Sequence, residues 1–214
     1  MIAVIIPCFR VKTHILEVLN GIGPEVDEIY VVDDGCPEGS GKYVEENSKD
    51  PRLSVLYNQK NTGVGGAVKA GYLAALKGPC SIFVKLDGDG QMDPRFISNI
   101  VHPIQIADAD YTKGNRFFNL EGLREMPGIR LFGNAILSFL TKLSSGYWDI
   151  FDLTNGYTAI HKDALVLLAL PKIANRYFFD STFMGRIKIV KPKNKAILAM
   201  LEPMTFPIAM PVLP

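Results

Sequence analysis

Short apolar runs alternate with stretches of helical periodicity through the first half of the chain. Four runs predict buried strands because they are almost continuously apolar, and they lie at residues 2–6, 28–33, 52–57 and 81–87. The spacing of apolar positions between and after them predicts helices at residues 12–21, 40–48, 65–77 and 94–106. Strands that alternate with helices are typical of a parallel sheet covered by helices. The pattern therefore predicts an α/β fold, a mostly parallel sheet flanked by helices.

The second half of the chain has a less regular pattern. Residues 111–116 predict a fifth strand, and the apolar positions within 129–145 fit an amphipathic helix. We expect the apolar face of that helix to pack on the core rather than on lipid. The end of the chain is first basic and then proline-rich. A length of 214 residues suits one sizeable core, so we expect one domain over residues 1–180 and an atypical tail over residues 181–214.

Charge and cysteine content limit the kinds of partner and the cellular location that we expect. Lys and Arg total 23 and Asp and Glu total 22, so no excess of charge calls for a nucleic-acid partner. The 3 cysteines have no metal-ligand spacing and adjoin apolar strands, which favours free thiols in a reducing cytoplasm. Residues 1–7 are expected to form a strand instead of a leader peptide, and no apolar run reaches the ~20 residues of a membrane span. The expected location is cytoplasmic, with the proline-rich tail against apolar protein surface or lipid.

Polar residues and glycines follow each of the predicted parallel strands. In an open parallel sheet, ligands gather at the carboxyl ends of the strands. Turn chemistry alone does not readily account for several such loops on one edge, so we expect the functional site there. The loops are Pro7-Cys8-Phe9-Arg10, Asp33-Asp34-Gly35, Asn61-Thr62-Gly63 and Asp87-Gly88-Asp89-Gly90-Gln91.

The last of these loops has the oxygen donors that a hard divalent cation prefers. The carboxylates of Asp87 and Asp89 and the amide oxygen of Gln91 predict a site for Mg²⁺ or Mn²⁺. Gly88, between the two acids, lets a ligand approach the backbone closely. Taken alone, the segment is equally compatible with an ordinary Asp-Gly turn. An EF-hand is poorly supported, because the twelfth position counted from Asp87 is Ser98 instead of glutamate.

Other candidate residues also have two interpretations each. Asp33 and Asp34 can accept hydrogen bonds from a base or ribose, or they can belong to an Asp-Gly turn. The glycine cluster at 61–67 fits no phosphate-loop pattern and more readily allows the next helix to pack closely under the second and third strands. Arg116 can pair with a phosphate or lie at the surface. Asp180, beside aromatic residues, is a candidate for proton transfer or an exposed residue at a strand end.

In this order, the motifs resemble those of glycosyltransferase family 2. They are Val4 to Phe9, Val31 to Gly35, Asn61 to Ala67 and Lys85 to Pro94. The chain is most similar to the polyprenyl-phosphate and dolichyl-phosphate sugar transferases over about residues 1–180. The resemblance implies a GT-A (Rossmann-like) fold and an inverting transfer of a sugar from a UDP- or GDP-linked donor. It further implies a polyprenyl phosphate (dolichyl or undecaprenyl) as the acceptor and Mg²⁺ or Mn²⁺ as the cofactor.

The resemblance also implies roles for individual residues. The nucleotide-sugar is expected to bind at Pro7, Phe9, Asp33, Asp34, Asp87, Gly88, Asp89 and Arg116. The metal is expected at Asp87, Asp89 and Gln91. The segment from Asp152 to Tyr157 is expected to line the acceptor side. Asp89, Asp152 and Asp180 are the expected catalytic residues, with Asp152 or Asp180 as the base if the acceptor is a hydroxyl.

Two alternatives stay open at this point. The chain departs from the family pattern after Asp180, where Thr182-Phe183-Met184-Gly185 replaces a second acid and an apolar helix. A family 2 transferase that acts on a glycan hydroxyl is one alternative, and a catalytically impaired nucleotide-sugar binding protein is the other. For a transferase with a lipid acceptor, we expect peripheral contact with the cytoplasmic face of a membrane.

Overall fold

The computed structural model describes residues 1–114, 155–176, 179, 182, 183 and 198–200. Its strands are β1 (Ile2–Cys8), β2 (Glu28–Asp33), β3 (Leu53–Tyr57), β4 (Ile82–Lys85), β5 (Tyr111–Lys113), β6 (Thr158–His161) and β7 (Leu198–Met200). Its α-helices are α1 (Ile15–Asn20), α2 (Ser40–Asn47), α3 (Val64–Ala75), α4 (Ile97–Gln105) and α5 (Lys162–Leu167). Short 3-10 helices lie at Pro94–Phe96 and Leu170–Lys172.

The strands form one sheet in the order β3-β2-β1-β4-β6-β5-β7. The first four strands of the chain pair in parallel, and β6 runs antiparallel to its neighbours β4 and β5. Helices connect the parallel strands, because a parallel crossover needs a long connection back to the starting edge. The predicted α/β fold with a mostly parallel, helix-flanked sheet is confirmed.

The element boundaries differ from the predicted ones in ways that matter for the site. β1 continues past its predicted end at residue 6 to Cys8, whereas β4 ends at Lys85 instead of residue 87. Asp87 therefore lies in the loop after β4. The predicted helix start at Asp93 is confirmed, since the Asp93 carboxylate accepts a hydrogen bond from the backbone N–H of Arg95.

Two apolar layers enclose the sheet. On one face, α1, α2 and α4 cover Val4, Ile6 and Val31, and on the other, α3 and α5 pack with Ile5 and Phe83. Successive residues of β1 point to opposite faces, so a continuously apolar strand supplies both layers. This is the physical reason that the strands read as apolar runs in the sequence.

Helix α3 packs on the sheet through its small residues. A Cβ at Gly71 would overlap Ile5 Cγ2 and lie 3.2 Å from Val32 Cγ2, so the helix backbone sits directly on β1 and β2. The sequence pattern predicted close packing under the second and third strands. The packing on β2 is confirmed, but the other main strand under α3 is β1 instead of β3. The chain leaves β3 at the sheet edge and enters β4 on the far side of β1, so α3 must cross the strands between them.

Several predicted features fall outside the described residues. They are the fifth strand beyond Lys113, the amphipathic helix within 129–145 and nearly all of the tail over residues 181–214. The predicted division of the chain at residue 180 stays a prediction. None of the helices in the described part of the chain has the length and hydrophobicity that a membrane span needs.

Arg52 secures the sheet edge opposite the strand-end loops. Its guanidinium donates to the carbonyls of Gly23 at 2.6 Å, Val26 at 3.1 Å and Ile22 at 3.3 Å, and pairs with Asp50 at 2.7 Å. Hydrogen bonds to a charged donor contribute more than neutral ones. One side chain thus provides hydrogen-bond donors to three carbonyls of the turn that leads into β2.

We expect Arg52→Ala to lower the free energy of unfolding by about 2 kcal/mol, because it leaves several carbonyls without their charged donor. Urea denaturation measures the change. Arg95→Ala is the matched control, since Arg95 forms the same local pair with Asp93 but has a side chain that is 83% exposed. Such an exposed pair contributes little, and equal losses in the two variants would contradict the role of Arg52.

Candidate active site

The carboxyl ends of β1, β2 and β4 meet at one edge of the sheet. Cys8 pairs with Asp33, so β1 and β2 end at the same level. Lys85 pairs with Ile5, so β4 ends earlier and the loop after it runs beside the last residues of β1. The backbone N–H of Asp34 donates to the carbonyl of Cys8 at 3.1 Å, which joins the first two loops directly. The predicted meeting of the strand-end loops is therefore observed for these strands.

Asp34 attaches the loop after β3 to this edge. Its buried carboxylate accepts hydrogen bonds from Asn58 Nδ2 at 2.8 Å, Thr62 N at 2.9 Å, Thr62 Oγ1 at 2.7 Å and Gly63 N at 2.7 Å. The glycine cluster is thus held beside the end of β2. Asp34 therefore fixes the position of this loop, and its expected contact with a nucleotide stays a prediction.

Asp33 organises the turn between β2 and α2. It is 3% exposed, and its carboxylate accepts from Cys36 N at 2.7 Å and Gly41 N at 2.6 Å. The next residue after Asp34, Gly35, has a φ of 65°, and a Cβ there would lie 2.9 Å from Asn61 N. A side chain at this position would therefore be strained and would push the two loops apart.

The loop after β1 exposes an aromatic ring. Phe9 is 37% exposed, and the Arg10 guanidinium lies 5.5 Å from its ring centroid. Arg10 has a φ of 57°, which is uncommon for a residue with a side chain. Pro7, one residue before Cys8, is half-buried within β1. An exposed flat ring at a strand end is suited to stacking against a planar ligand.

The Asp87 loop, residues 86–91, follows β4. The Asp87 side chain is 30% exposed, and its Oδ1 lies 3.0 Å from Lys85 Nζ. Asp89 Oδ1 accepts a hydrogen bond from the backbone N–H of Gln91 at 3.0 Å, and Gln91 itself is exposed. Gly88 is buried, and a Cβ there would lie 3.0 Å from the side chain of Ile15. Core packing alone therefore favours a small residue at position 88, because a side chain there would press on Ile15 and Ile6.

The oxygen donors of the Asp87 loop fit one kind of metal site. Asp87 Oδ1 is buried. It forms an ion pair with Lys85 Nζ, but it accepts no hydrogen bond from the described residues. In the part of the chain that the structure describes, no group of three or more His, Cys, Asp or Glu residues is placed to bind a metal. Mg²⁺ and Mn²⁺ often use one or two carboxylates and take their other ligands from phosphates and water. Asp87 and Asp89 suit such a shared site and do not suit an all-protein cage.

Two buried lysines lie behind the Asp87 loop, and the sequence did not single them out. Lys85 and Lys113 are each 2% exposed. Lys85 Nζ donates to the carbonyl of Gly156 at 3.1 Å, and Lys113 Nζ donates to the carbonyl of Asn155. A lysine inside an otherwise apolar strand is the signal that could have identified Lys85, because a buried ammonium requires partners.

Gly156 lies against the Lys85–Asp87 pair. A Cβ at this position would overlap Lys85 Nζ and lie 2.8 Å from Asp87 Oδ2. The next residue, Tyr157, is buried, and burial raises the pKa of its phenol. Its hydroxyl donates to the carbonyl of Asp93 at 3.2 Å. The turn at 155–157, predicted to belong to the acceptor side, is therefore in contact with the Asp87 loop.

Three of the predicted site residues are not among the described ones. Arg116, Asp152 and Asp180 lie outside the described residues, so their expected roles in phosphate contact and proton transfer stay predictions. Phe179, next to Asp180, is buried against Phe183, with ring centroids 5.4 Å apart. A Cβ at Gly65 would come within 2.8 Å of Phe179 Cβ, which places Phe179 over the start of α3.

The fold defines an α/β protein whose candidate ligand site lies at the carboxyl edge of its parallel strands. Residues 3–167 match the family described as "Glycosyl transferase family 2", and the chain belongs to this family. The predicted family is confirmed.

Two relatives are similar over most of the chain. One is UDP-N-acetylglucosamine--dolichyl-phosphate N-acetylglucosaminyltransferase of Methanococcus voltae, 31% identical over 209 residues, which cover 91% of this chain and 81% of that protein. The other is polyprenol monophosphomannose synthase of Mycolicibacterium smegmatis, 29% identical over 178 residues, which cover 81% of this chain and 66% of that protein. The similarity therefore extends well beyond the strand-end motifs.

The solved structures show the same fold. Glucosyl-3-phosphoglycerate synthase from Mycobacterium tuberculosis, in complex with Mn²⁺, UDP and phosphoglyceric acid, matches with a TM-score of 0.64 and 18% identity. The match covers 85% of this chain and 61% of that one, so this chain spans about three fifths of the length of that enzyme. The likeness supports the predicted GT-A fold, and the identity is too low to transfer a substrate.

The cysteines differ in their expected reactivity. Burial raises the pKa of the Cys8 thiol and of the Cys80 thiol to about 12 each. Burial alone would also raise the pKa of Cys36, but hydrogen bonds with Ser40 Oγ at 3.1 Å and from Arg10 N at 3.2 Å bring it below its usual range. Since the thiolate is the reactive form, Cys36 has the largest reactive fraction as pH rises.

We expect iodoacetamide at about pH 8 to label Cys36 first, while Cys8 and Cys80 react only after unfolding. Peptide mass spectrometry of briefly treated protein measures the order. The same treatment in denaturant is the control, because all three thiols are then accessible. Labelling of Cys8 or Cys80 before Cys36 in folded protein would contradict this assignment.

Proposed function

We propose that this protein is an inverting glycosyltransferase that moves a sugar from a UDP- or GDP-linked donor to a polyprenyl phosphate. The observation that carries the proposal is the position of Asp87 and Asp89 at the end of β4, on the edge where Phe9 is exposed and Asp34 holds the loop after β3. Family membership supports sugar transfer. The names of the two relatives support a lipid-phosphate acceptor.

The donor is proposed to lie across the strand-end loops. The Phe9 ring stacks on the base, and the loops held by Asp33 and Asp34 form the wall around the nucleoside. Asp87 and Asp89, with the amide oxygen of Gln91, would hold Mg²⁺ or Mn²⁺. When bound, such an ion supplies positive charge that neutralises a departing diphosphate. Because Asp33 and Asp34 are already fixed by backbone N–H groups, little reorganisation is needed when the donor binds.

The acceptor is proposed to approach from the side of the 155–157 turn, which contacts the Asp87 loop through Gly156. A phosphate monoester loses its second proton near pH ~6, so the acceptor oxygen is already nucleophilic at neutral pH. It attacks the anomeric carbon in line with the leaving group, and the configuration of that carbon inverts. A strong general base is not required for this acceptor.

The location is proposed to be cytoplasmic, with peripheral contact to the membrane that holds the lipid acceptor. Such contact would bring the candidate site to the lipid phosphate at the membrane surface. The proline-rich tail is the candidate contact, and all of it except β7 lies outside the described residues.

Asp89→Ala is expected to reduce transfer by more than about 100-fold, beyond the 10–100-fold typical of residues that only orient a metal ligand. Transfer of a labelled sugar to polyprenyl phosphate in Mn²⁺ measures it. Asp93→Asn is the matched control, because Asp93 lies in the next turn and an asparagine still caps a helix. Undiminished transfer by Asp89→Ala would overturn the proposal.

Asp180→Asn separates the two kinds of acceptor. With a lipid phosphate we expect nearly unchanged turnover, since no base is needed, whereas a hydroxyl acceptor would lose about 100-fold or more. The turnover numbers of the wild type and of Asp180→Asn are measured with each acceptor, a polyprenyl phosphate and a sugar hydroxyl. A large loss with the lipid phosphate would contradict the proposed acceptor chemistry.

A further inference from the structure

The ammonium of Lys85 is placed where it changes the charge of the candidate metal site. The rest of β4 is apolar, and Lys85 is almost fully buried. Its Nζ lies 3.0 Å from Asp87 Oδ1 and donates to the Gly156 carbonyl at 3.1 Å. Burying an ammonium is unfavourable unless it is paired, so the partners of Lys85 fix its position in the site.

A second lysine provides an internal comparison. Lys85 on β4 and Lys113 on β5 both pair with Thr158 of the strand between them, so their side chains leave the same face of the sheet. Lys113 donates to the carbonyl of Asn155, whereas Lys85 forms the ion pair with Asp87. The two residues share burial and register, and they differ in their contact with the Asp87 loop.

The charge balance determines what Lys85 does to a metal ion. Asp87 and Asp89 supply two negative charges, and Lys85 cancels one of them. A divalent cation at Asp87 would also be repelled by an ammonium that contacts the same carboxylate, since charges a few ångströms apart interact strongly in a partly buried site. The diphosphate of a nucleotide adds negative charge at the site. This charge replaces the carboxylate charge that Lys85 cancels.

We propose that Lys85 is a fixed counter-cation that makes metal binding at Asp87 and Asp89 depend on the diphosphate of the nucleotide. It weakens metal binding to the free protein and strengthens binding of the nucleotide. Coupling between two ligands is reciprocal, so each ligand increases the affinity for the other by the same factor. This inference rests on the proposed function, because it needs a nucleotide diphosphate and a metal at this edge.

Lys85→Met removes the charge and keeps an apolar stem of similar length. We expect the affinity of the free protein for Mn²⁺ to rise about tenfold, and the metal-free affinity for UDP or GDP to fall by a similar factor, within the range of typical coupling effects. Isothermal titration measures both constants. Structural damage would lower the affinity for both ligands. Opposite changes in the two affinities therefore identify the lost charge as the cause. An unchanged or lower Mn²⁺ affinity would overturn the inference.

Lys113→Met is the matched control. It makes the same chemical change at the same register, and we expect both affinities to stay within about threefold of the wild type because Lys113 is bonded to Asn155 rather than to Asp87. If Lys113→Met raises the Mn²⁺ affinity and lowers the nucleotide affinity as much as Lys85→Met does, the effect belongs to buried charge in general. That result would overturn the specific role of Lys85.

A measurement on the unaltered protein keeps the inference falsifiable if neither Lys85→Met nor Lys85→Gln folds. The Mn²⁺ dissociation constant should fall at least about tenfold when saturating nucleotide is added, and a change below about twofold would overturn the inference. Wild-type protein that binds neither Mn²⁺ nor nucleotide would instead defeat the proposed function. Binding of both, without coupling, would defeat only the role of Lys85.

Discussion

Parallel pairing of β1 with both β2 and β4 is the constraint on which the site depends. It brings the residues that follow Cys8, Asp33 and Lys85 to one edge of the sheet, although β1 and β4 are separated by more than 70 residues in the chain. Helices must return the chain to the opposite edge before each new strand, so the functional loops alternate with the elements that cover the sheet. The candidate site is therefore confined to one edge, and the other edge can be secured by Arg52.

The carboxylates at the end of β2 show how the site is built before any ligand arrives. Asp33 holds the turn into α2, and Asp34 holds the loop into α3, each through several hydrogen bonds from the protein. A turn role and a ligand-site role are thus not exclusive alternatives. Residues that fix the backbone of neighbouring loops also fix the shape of the space between them, which reduces the entropy lost on binding.

The sequence predicted the elements and the loops far better than it predicted the contacts among them. Local apolar patterns located β1 to β4, and the order of motifs indicated the family. The roles of Lys85 and Gly156 were missed, because their contact joins residues 71 positions apart and no local pattern reports it. The placement of α3 was right for β2 and wrong for its other strand, which is β1 instead of β3. The reason is related, since sheet order follows from the crossovers and not from the order of strands along the chain.

The positions of Arg52, which is partly exposed, and Lys85, which is buried, distinguish stability from function. Arg52 lies at the edge away from the site, and its bonds to carbonyls secure a turn. Lys85 lies under the Asp87 loop, where an apolar residue of similar size would often be at least as stabilising as a buried ion pair. A charge kept in an otherwise apolar strand, in contact with a carboxylate of the candidate metal site, is better explained by the binding of charged ligands than by folding. The same argument accounts for Gly156, since a side chain there would occupy the space of Lys85 and Asp87.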